Sequence, residues 1–225
     1  MIKKLFQKLL QASGKNYTVD STIPNRLFVS ILIKRLVMTC RGYIFLFQKV
    51  FLGKNCSITN KGNIRFGKNS TIENNTTIDG YAKNNLIFGD NCKIGAYSTV
   101  TCTSHLSKHG LGLQIGHNSA FGRFTEFGAA GGITIGNDVI GGSYISFHSE
   151  NHVFSDMFKL IRDQGVTSLG IVIGNNVWIG AKVTFLDGCV VGNNCVVAAG
   201  AVVNSVFPDN VVIGGVPAKI IKERL

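Results

Sequence analysis

Two histidines and a glutamate lie within one short stretch of the chain, FHSENH at residues 147–152. Imidazole is the side chain most often used as a general base, so either His148 or His152 could take a proton from a weak nucleophile and return it later. The same pair, with Glu150 between them, could instead hold a zinc ion. An H-x-x-x-H pair converges on one metal when both histidines share a helical face, so the backbone that carries the stretch decides between these chemistries.

A short phrase recurs through most of the chain: an apolar residue, Gly, any residue, and then Asn or Asp. Its seven copies are LGKN at Leu52, FGKN at Phe66, FGDN at Phe88, IGHN at Ile115, IGND at Ile135, IGNN at Ile173 and VGNN at Val191. A repeat of this kind predicts one small structural unit stacked on itself many times.

Apolar residues return every six positions in an unbroken series: Ile173, Ile179, Phe185, Val191, Val197 and Val203. A period of six fits neither an α-helix nor a simple alternating strand. It fits a triangular coil in which each hexad forms a short strand and a corner. The apolar residue points inward, and Gly and Asn or Asp form the corner, where positive φ is tolerated. Stacked coils of three hexads would bury a continuous core.

The spacing between the phrases shows where the coil is interrupted. The last two phrases are eighteen residues apart, which is one turn, whereas Phe88 and Ile115 are twenty-seven apart and Ile135 and Ile173 are thirty-eight apart. We therefore expect insertions near residues 104–112 and 153–172. Loops on a rigid scaffold are where binding and catalytic residues concentrate.

The amino-acid composition indicates a folded, basic protein. The chain has 225 residues, 45% of them hydrophobic, and a net charge of +11, which suits polyanionic partners. It has no nucleic-acid-binding pattern, so nucleic acid is not expected. Charges interrupt the apolar stretch 27–52, so we expect segment 1–50 to be helical and to pack on the domain or contact a membrane surface. The cysteines form no C-x-x-C pattern, which favours a reducing compartment and so a cytoplasmic protein. Such a protein could also bind peripherally to the inner face of the membrane.

The run IVIGNNVWIGAKVTFLDGCVVGNNCVVAAGAVV, closed by NVVIGGVPAKIIKERL, resembles the hexapeptide-repeat acyltransferases. It is most similar to the sugar O-acetyltransferases, including the galactoside, maltose and surface-polysaccharide enzymes. The resemblance implies an all-β fold: a left-handed parallel β-helix of about seven coils, assembled as a homotrimer with acetyl-CoA bound between subunits and no metal. The expected organisation is a helical segment (1–50), the β-helix (51–213) and a tail with a short C-terminal helix (214–225).

The hexad register separates the two histidines. Counted from Ile135, His152 is the sixth, outward-facing residue of its hexad, immediately before the longer insertion, and His148 is second, at a corner. The galactoside and maltose acetyltransferases carry their catalytic histidine at the hexad position that His152 occupies here. The resemblance therefore implies His152 as general base, with His148 as a second candidate. The group that orients the ring of His152 could be Glu150, Asp156 or a backbone carbonyl. The γ-class carbonic anhydrases bind zinc on the same fold, so a zinc enzyme is an alternative.

The resemblance also implies contacts with the coenzyme, position by position. Small residues at positions 181 and 199 would let the pantetheine arm approach the backbone, and lysines at 219 and 222 stand where the family has basic residues beside the nucleotide phosphates. The full expected set is Trp178, Gly180, Ala181, Ala199, Gly200, Asn204, Ser205, Lys219 and Lys222.

The acceptor side departs from the galactoside enzymes. Where they carry Asn and Asp, this chain has GRFTEFGAAGG at 122–132, in which Arg123 and Glu126 are candidate substrate-binding residues. With the basic N-terminus, this favours acetylation of a sugar hydroxyl on a lipid- or nucleotide-linked glycan during bacterial surface-polysaccharide (O-antigen or capsule) biosynthesis. N-acetylation of an amino sugar and a catalytically inactive structural trimer are further alternatives.

Overall fold

The structure is a computed structural model that describes residues 2–12 and 18–224. Helices α1 (Ile2–Ala12) and α2 (Asn25–Leu46) precede the strands, and the rings of Phe6 and Phe28 pack 5.0 Å apart between them. Helix α2 begins after Pro24, whose extended φ and ψ suit the residue before a helix. Within the described residues, no helix is long and apolar enough to cross a membrane.

After α2, the chain winds through three parallel sheets in rotation, named A, B and C, with strands numbered in chain order. Sheet A contains β1 (Phe51–Leu52), β4 (Thr71–Ile72), β7 (Lys93–Ile94), β12 (Ile140–Gly141), β17 (Trp178–Ile179), β20 (Val196–Val197), β23 (Val211–Gly214) and β24 (Lys219–Glu223). Ala120 bridges Lys93 and Ile140, which joins the two parts of this sheet.

Sheets B and C have seven strands each. Sheet B contains β2 (Ser57–Thr59), β5 (Thr77–Asp79), β8 (Thr99–Thr101), β10 (Glu126–Gly128), β13 (Ser146–His148), β18 (Thr184–Leu186) and β21 (Val202–Val203). Sheet C contains β3 (Ile64–Phe66), β6 (Leu86–Phe88), β9 (Leu113–Ile115), β11 (Ile133–Ile135), β16 (Ile171–Ile173), β19 (Val190–Val191) and β22 (Val206–Phe207). The predicted architecture of stacked parallel strands is confirmed, whereas its left hand and its number of coils stay predictions.

The six-residue period places the core inside the three sheets. The series from Ile173 to Val203 is buried at every first hexad position. Phe127, Phe147 and Phe185 occupy the inward positions of β10, β13 and β18, and their rings stack at 5.1 and 4.8 Å. Because strands in register repeat the same inward position, one aromatic column forms the centre of the coil.

The corner between sheets C and A explains six of the seven copies of the recurring phrase, whereas the copy at Leu52 follows β1 and lies between sheets A and B. At the corner between sheets C and A, the Asn or Asp takes a left-handed conformation in successive coils, with φ of 57° at Asn91, 57° at Asn118 and 58° at Asp138, and each Asn donates its side-chain amide to the next residue in the column. The glycine of the phrase serves another purpose, because a Cβ on Gly89 would lie 2.7 Å from the backbone of Gly116. The expected positive φ therefore belongs to the Asn or Asp, and the glycine permits close stacking of the coils.

The C-terminal segment contains a strand in place of the predicted helix. A short helix was expected within 214–225, but Lys219–Glu223 forms β24 and pairs antiparallel with β23. Among residues 2–12 and 18–224, no further coil covers the last sheet A strand, β23. The tail satisfies this open edge by folding back as a strand, which provides the backbone hydrogen bonds that the stack would otherwise lack.

Candidate active site

The two histidines of FHSENH lie in different structural elements. His148 is the last residue of strand β13, half-buried, and pairs in register with Gly128 and Leu186 of the neighbouring coils. It therefore lies at a strand end rather than within the corner itself. His152 is exposed and belongs to β14 (Asn151–His152), which pairs antiparallel with β15 (Val166–Thr167) at the base of the longer insertion. The two imidazoles thus lack the shared helical face that an H-x-x-x-H metal pair requires.

The turn between these histidines is fixed by a buried serine. Ser149 is 1% exposed, and its hydroxyl donates to the carbonyl of Gly128 at 2.7 Å and accepts the N–H of Gly131 at 2.9 Å. Both groups belong to the preceding coil, so the chain leaves β13 from a fixed point. The backbone that leads to His152 is therefore held to the rigid stack at its start.

Glu150 bridges the two insertions. Its carboxylate accepts hydrogen bonds from the hydroxyls of Ser104 and Ser168, each at 3.3 Å, and Lys108 donates to the same Ser168 hydroxyl. Ser104 and Lys108 come from the first insertion and Ser168 from the second. The partners that the structure gives Glu150 are thus loop residues, and Glu150 as the residue that orients His152 stays a prediction.

Asp187 anchors the far end of the hairpin that carries His152. This carboxylate is 9% exposed and accepts the N–H groups of Leu169 at 2.7 Å and Gly170 at 2.8 Å, together with the hydroxyl of Thr167 at 2.9 Å. Thr167 lies opposite Asn151 in the hairpin. Three hydrogen bonds to one charged acceptor form a strong attachment, so Asp187 holds β15 and, through it, the strand of His152.

Sequence reasoning missed Asp187, although a signal was present. The residue stands in LDGC (186–189), where Asp-Gly marks a turn between strands β18 and β19. The hexad pattern shows that a corner lies here. It does not show that a loop from the preceding coil crosses this corner and uses the carboxylate.

The expected coenzyme residues gather mainly on sheet A and on the corner that leads to sheet B. Trp178 lies outward on β17 and is 60% exposed. Ala181 and Gly200 stack at the corner, since the N–H of Gly200 donates to the carbonyl of Ala181 at 2.9 Å. A Cβ on Gly180 would lie 2.5 Å from the backbone N of Ala199. These four small residues form a track without bulky side chains, which fits a narrow, flexible ligand lying along it.

The other expected coenzyme residues lie elsewhere on the last coil. Asn204 and Ser205 are exposed on the short turn between sheets B and C, where the Ser205 hydroxyl donates to the Asn204 side chain at 3.2 Å. Lys219 and Lys222 are exposed on β24, along the edge of sheet A. Both lysines are exposed and can contact an anion from solution. Their contact with the phosphates of the coenzyme stays a prediction.

The candidate substrate residues lie two coils before that track. Arg123 shares the corner between sheets A and B with Ala181, and its guanidinium lies 5.4 Å from the ring centre of Tyr97 and 5.5 Å from that of Phe124. With Tyr144, these rings form an exposed aromatic column at spacings of 5.1 and 4.8 Å. Glu126 is exposed on β10 of sheet B. The aromatic column was not predicted from the sequence.

The structure does not bring all these residues together in one chain. Trp178 and the small-residue track lie on sheet A and its corner with sheet B, whereas His152 lies on the hairpin between sheets B and C. The track therefore lies at the corner of sheets A and B, and the hairpin of His152 leaves the coil at the corner of sheets B and C. Among residues 2–12 and 18–224, no group of three His, Cys, Asp or Glu side chains is placed to hold a metal ion.

Comparison with known proteins agrees with this architecture. Residues 170–205 match the family model "Bacterial transferase hexapeptide (six repeats)", and residues 48–79 match "Hexapeptide repeat of succinyl-transferase". A solved mutant of the N-acyltransferase AntD from Bacillus cereus, in complex with dTDP and coenzyme A, superposes with a TM-score of 0.51 at 20% identity. The superposition covers 79% of this chain and 83% of that one, and it supports the fold.

Two curated relatives are O-acetyltransferases by name. The putative lipopolysaccharide biosynthesis O-acetyl transferase WbbJ of Escherichia coli (strain K12) is 29% identical over 175 residues, which cover 75% of this chain and 76% of WbbJ. The galactoside O-acetyltransferase of the same organism is 36% identical over 91 residues, covering 40% of this chain and 44% of the relative. These matches agree with the resemblance found in the sequence: two stretches of the chain match hexapeptide-repeat models, and its named relatives include O-acetyltransferases.

Proposed function

We propose that the chain is an acetyl-CoA-dependent O-acetyltransferase that acts on a sugar hydroxyl. The observation that carries this proposal is the exposed imidazole of His152 on a hairpin fixed at both ends, in a chain related to a named O-acetyltransferase over 75% of its length. General base catalysis requires a neutral imidazole that reaches the acceptor without moving away from it. Ser149 and Asp187 supply that restraint.

The proposed step is a direct transfer. His152 takes the hydroxyl proton as the sugar oxygen attacks the thioester carbonyl, and the tetrahedral intermediate then collapses with cleavage of the carbon–sulfur bond. The imidazolium returns the proton to the leaving coenzyme thiolate, so the products are an acetyl ester and free coenzyme A. General base catalysis of this kind contributes roughly 10²–10⁴-fold in rate. A backbone N–H of the coil would stabilise the oxyanion.

The placement of the residues supports a site between chains. The small-residue track with Trp178 and the hairpin with His152 lie at different corners of one coil. A neighbouring copy would complete the site by placing its own small-residue track beside this hairpin. This is the arrangement expected for a homotrimer with acetyl-CoA between subunits. Lys219 and Lys222 would then contact the nucleotide phosphates, and Arg123 and Glu126 the acceptor.

The relative WbbJ, whose match covers 75% of this chain, supports one class of acceptor. WbbJ is named for lipopolysaccharide biosynthesis, which favours a glycan precursor of the bacterial surface as the acceptor. The experiment is to incubate the purified protein with acetyl-CoA and matched nucleotide-linked and lipid-linked sugars, and to measure release of the coenzyme thiol. We expect release that depends on a hydroxyl-bearing acceptor. Release only with amino sugars would replace this proposal by N-acetylation, and no release with any acceptor would contradict it.

A further inference from the structure

Helix α2 is apolar on two opposite sides. Its inner side carries four buried residues, Phe28, Met38, Gly42 and Leu46. Leu46 belongs to the same buried cluster as the first coils, and a Cβ on Gly42 would lie 2.0 Å from the carbonyl of Val50, so the helix packs directly on the start of the β-helix. This inner side accounts for the attachment of α2 and leaves its other side without a role in the fold.

The outer side of α2 forms a continuous apolar stripe. It consists of Val29, Ile33, Leu36, Cys40 and Ile44, which follow one another at intervals of three or four residues. Residues with this spacing lie on one helical face. Ile33 is 57% exposed, and Leu36 and Ile44 are each 65% exposed. A solvent-facing stripe of this length is unusual for a helix whose inner side already satisfies its packing, so the stripe needs a separate explanation.

The charge of the same region indicates what would cover the stripe. Residues 1–49 contain nine Lys and Arg and one Asp, a net charge of +8 out of +11 for the whole chain. Arg26 on α2 is exposed, and on α1 the exposed Lys4 and Lys8 stand next to Leu5 and Leu9, which are 55% and 48% exposed. Apolar side chains beside an excess of basic residues match the surface of an anionic phospholipid bilayer, which offers hydrocarbon below a negative layer.

The residues of α2 do not fit a helix that spans the membrane. Arg26, Lys34, Arg35 and Arg41 lie within the 22 residues of α2, and burial of four cations in hydrocarbon is costly. Lys34 is already paired with Glu73 at 3.0 Å, and the guanidinium of Arg35 lies over the ring of Phe51. The helix is therefore held to the coil by Lys34 and Arg35, and the outer stripe stays exposed for contact with a bilayer.

We propose that the outer stripe of α2, together with the exposed lysines of α1, binds anionic phospholipid bilayers peripherally, with α2 lying in the plane of the surface. The proposal is independent of the transfer reaction, because none of its residues belongs to the candidate active site. If both hold, the enzyme works at the surface where lipid-linked acceptors are exposed.

The test is flotation of the 225-residue protein with vesicles of phosphatidylcholine alone or mixed with phosphatidylglycerol. We expect binding to the anionic vesicles to exceed binding to the neutral ones by roughly a hundredfold, since each basic residue near an anionic surface contributes about fivefold. The double substitution Ile33→Gln and Leu36→Gln should lower the partition coefficient at least about a hundredfold. Lys4→Gln with Lys8→Gln should lower it about thirtyfold and reduce its dependence on salt.

Val206→Gln is the matched control, because Val206 is 70% exposed on β22 at the other end of the coil. It should leave vesicle binding unchanged. Absence of wild-type binding to anionic vesicles would overturn the proposal, and so would full binding by both double variants. If the Ile33/Leu36 variant changes the mass of the assembly while the Lys4/Lys8 variant binds vesicles like the wild type, the stripe is a contact between copies of the chain. Loss of binding in both variants, with circular dichroism and mass unchanged, would support the bilayer.

Discussion

Removal of the Asp187 carboxylate should lower kcat and leave the KM for acetyl-CoA nearly unchanged. In Asp187→Ala, the N–H groups of Leu169 and Gly170 and the hydroxyl of Thr167 lose their shared acceptor, whose bonds measure 2.7, 2.8 and 2.9 Å. Leu169 and Thr167 are exposed, so water can replace the lost acceptor, and each lost hydrogen bond costs about 0.5–1.5 kcal/mol. The attachment of the hairpin therefore weakens by about 2–4 kcal/mol. Local openings of a loop have free energies of this size, so the strand of His152 would leave its fixed position for much of the time.

The expected result is a fall in kcat of about a hundredfold, because a small displacement of a catalytic group has an effect of this order. The KM for acetyl-CoA should stay within about threefold, since the hydrogen bonds of Asp187 go to Thr167, Leu169 and Gly170 and to no residue of the small-residue track. Asp187→Asn should retain most activity, because its side-chain oxygen still accepts the two N–H groups and its amide can donate to Thr167. Hydrogen exchange should accelerate in residues 151–170 of the Ala variant alone.

Asp209→Ala is the matched control for this series. Asp209 also accepts a backbone N–H at a corner, that of Asn193 at 2.7 Å, and this bond holds the pKa of its carboxyl below the usual value. Its corner joins sheets C and A and is remote in sequence and sheet position from the hairpin. The control should keep the wild-type kcat. If Asp187→Ala keeps the wild-type kcat as well, or if it raises the KM for acetyl-CoA instead, the reasoning that Asp187 positions His152 is refuted.

Three further predictions concern the loops, the core and pH. Glu150→Gln should weaken the hydrogen bonds from Ser104 and Ser168 and lower kcat/KM for the acceptor several-fold at an unchanged KM for acetyl-CoA, measured by steady-state kinetics; an equal change in both would contradict the loop-bridging role. Phe147→Ala opens the aromatic column and should lower the free energy of unfolding by about 3–5 kcal/mol, measured by urea denaturation; a loss below about 1 kcal/mol would show that the column collapses around the gap. Burial raises the pKa of Cys102 and Cys189 to about 12, so the folded state keeps these thiols protonated where the unfolded chain begins to ionise near pH 9. Stability should therefore be constant below about pH 9 and fall as the pH rises toward 12, and Cys189→Ala should reduce that slope in urea titrations; an unchanged slope in this variant would contradict the assignment.

The six-residue period was sufficient to predict which side chains form the core. Ile173, Ile179 and Phe185 are buried as expected because a parallel stack in register repeats one orientation at each level. The corner chemistry was predicted only in part. The pattern identified Gly and Asn as corner residues, but it could not show that Asn takes the left-handed conformation while Gly allows the coils to approach.

The remaining features depend on contacts that the repeat does not encode. The C-terminal strand Lys219–Glu223 forms because the last coil has an open edge, a property of the whole stack rather than of the local sequence. The contact of Asp187 with Leu169 and Gly170 joins a corner to a loop of the preceding coil. Hexad counting nevertheless located His152 at the start of the longer insertion, because an interruption of a strict period can be read directly from its spacing.

The central claim is that the imidazole of His152 removes the proton of the acceptor hydroxyl. The most direct measurement is the rate of thiol release from acetyl-CoA, with the best acceptor of the panel, for the wild type and for His152→Ala under saturating substrates. The account predicts a loss of kcat of about 10²–10⁴-fold, with the mass of the assembly and the binding of acetyl-CoA unchanged. A His152→Ala protein that retains kcat within about fivefold of the wild type would contradict it.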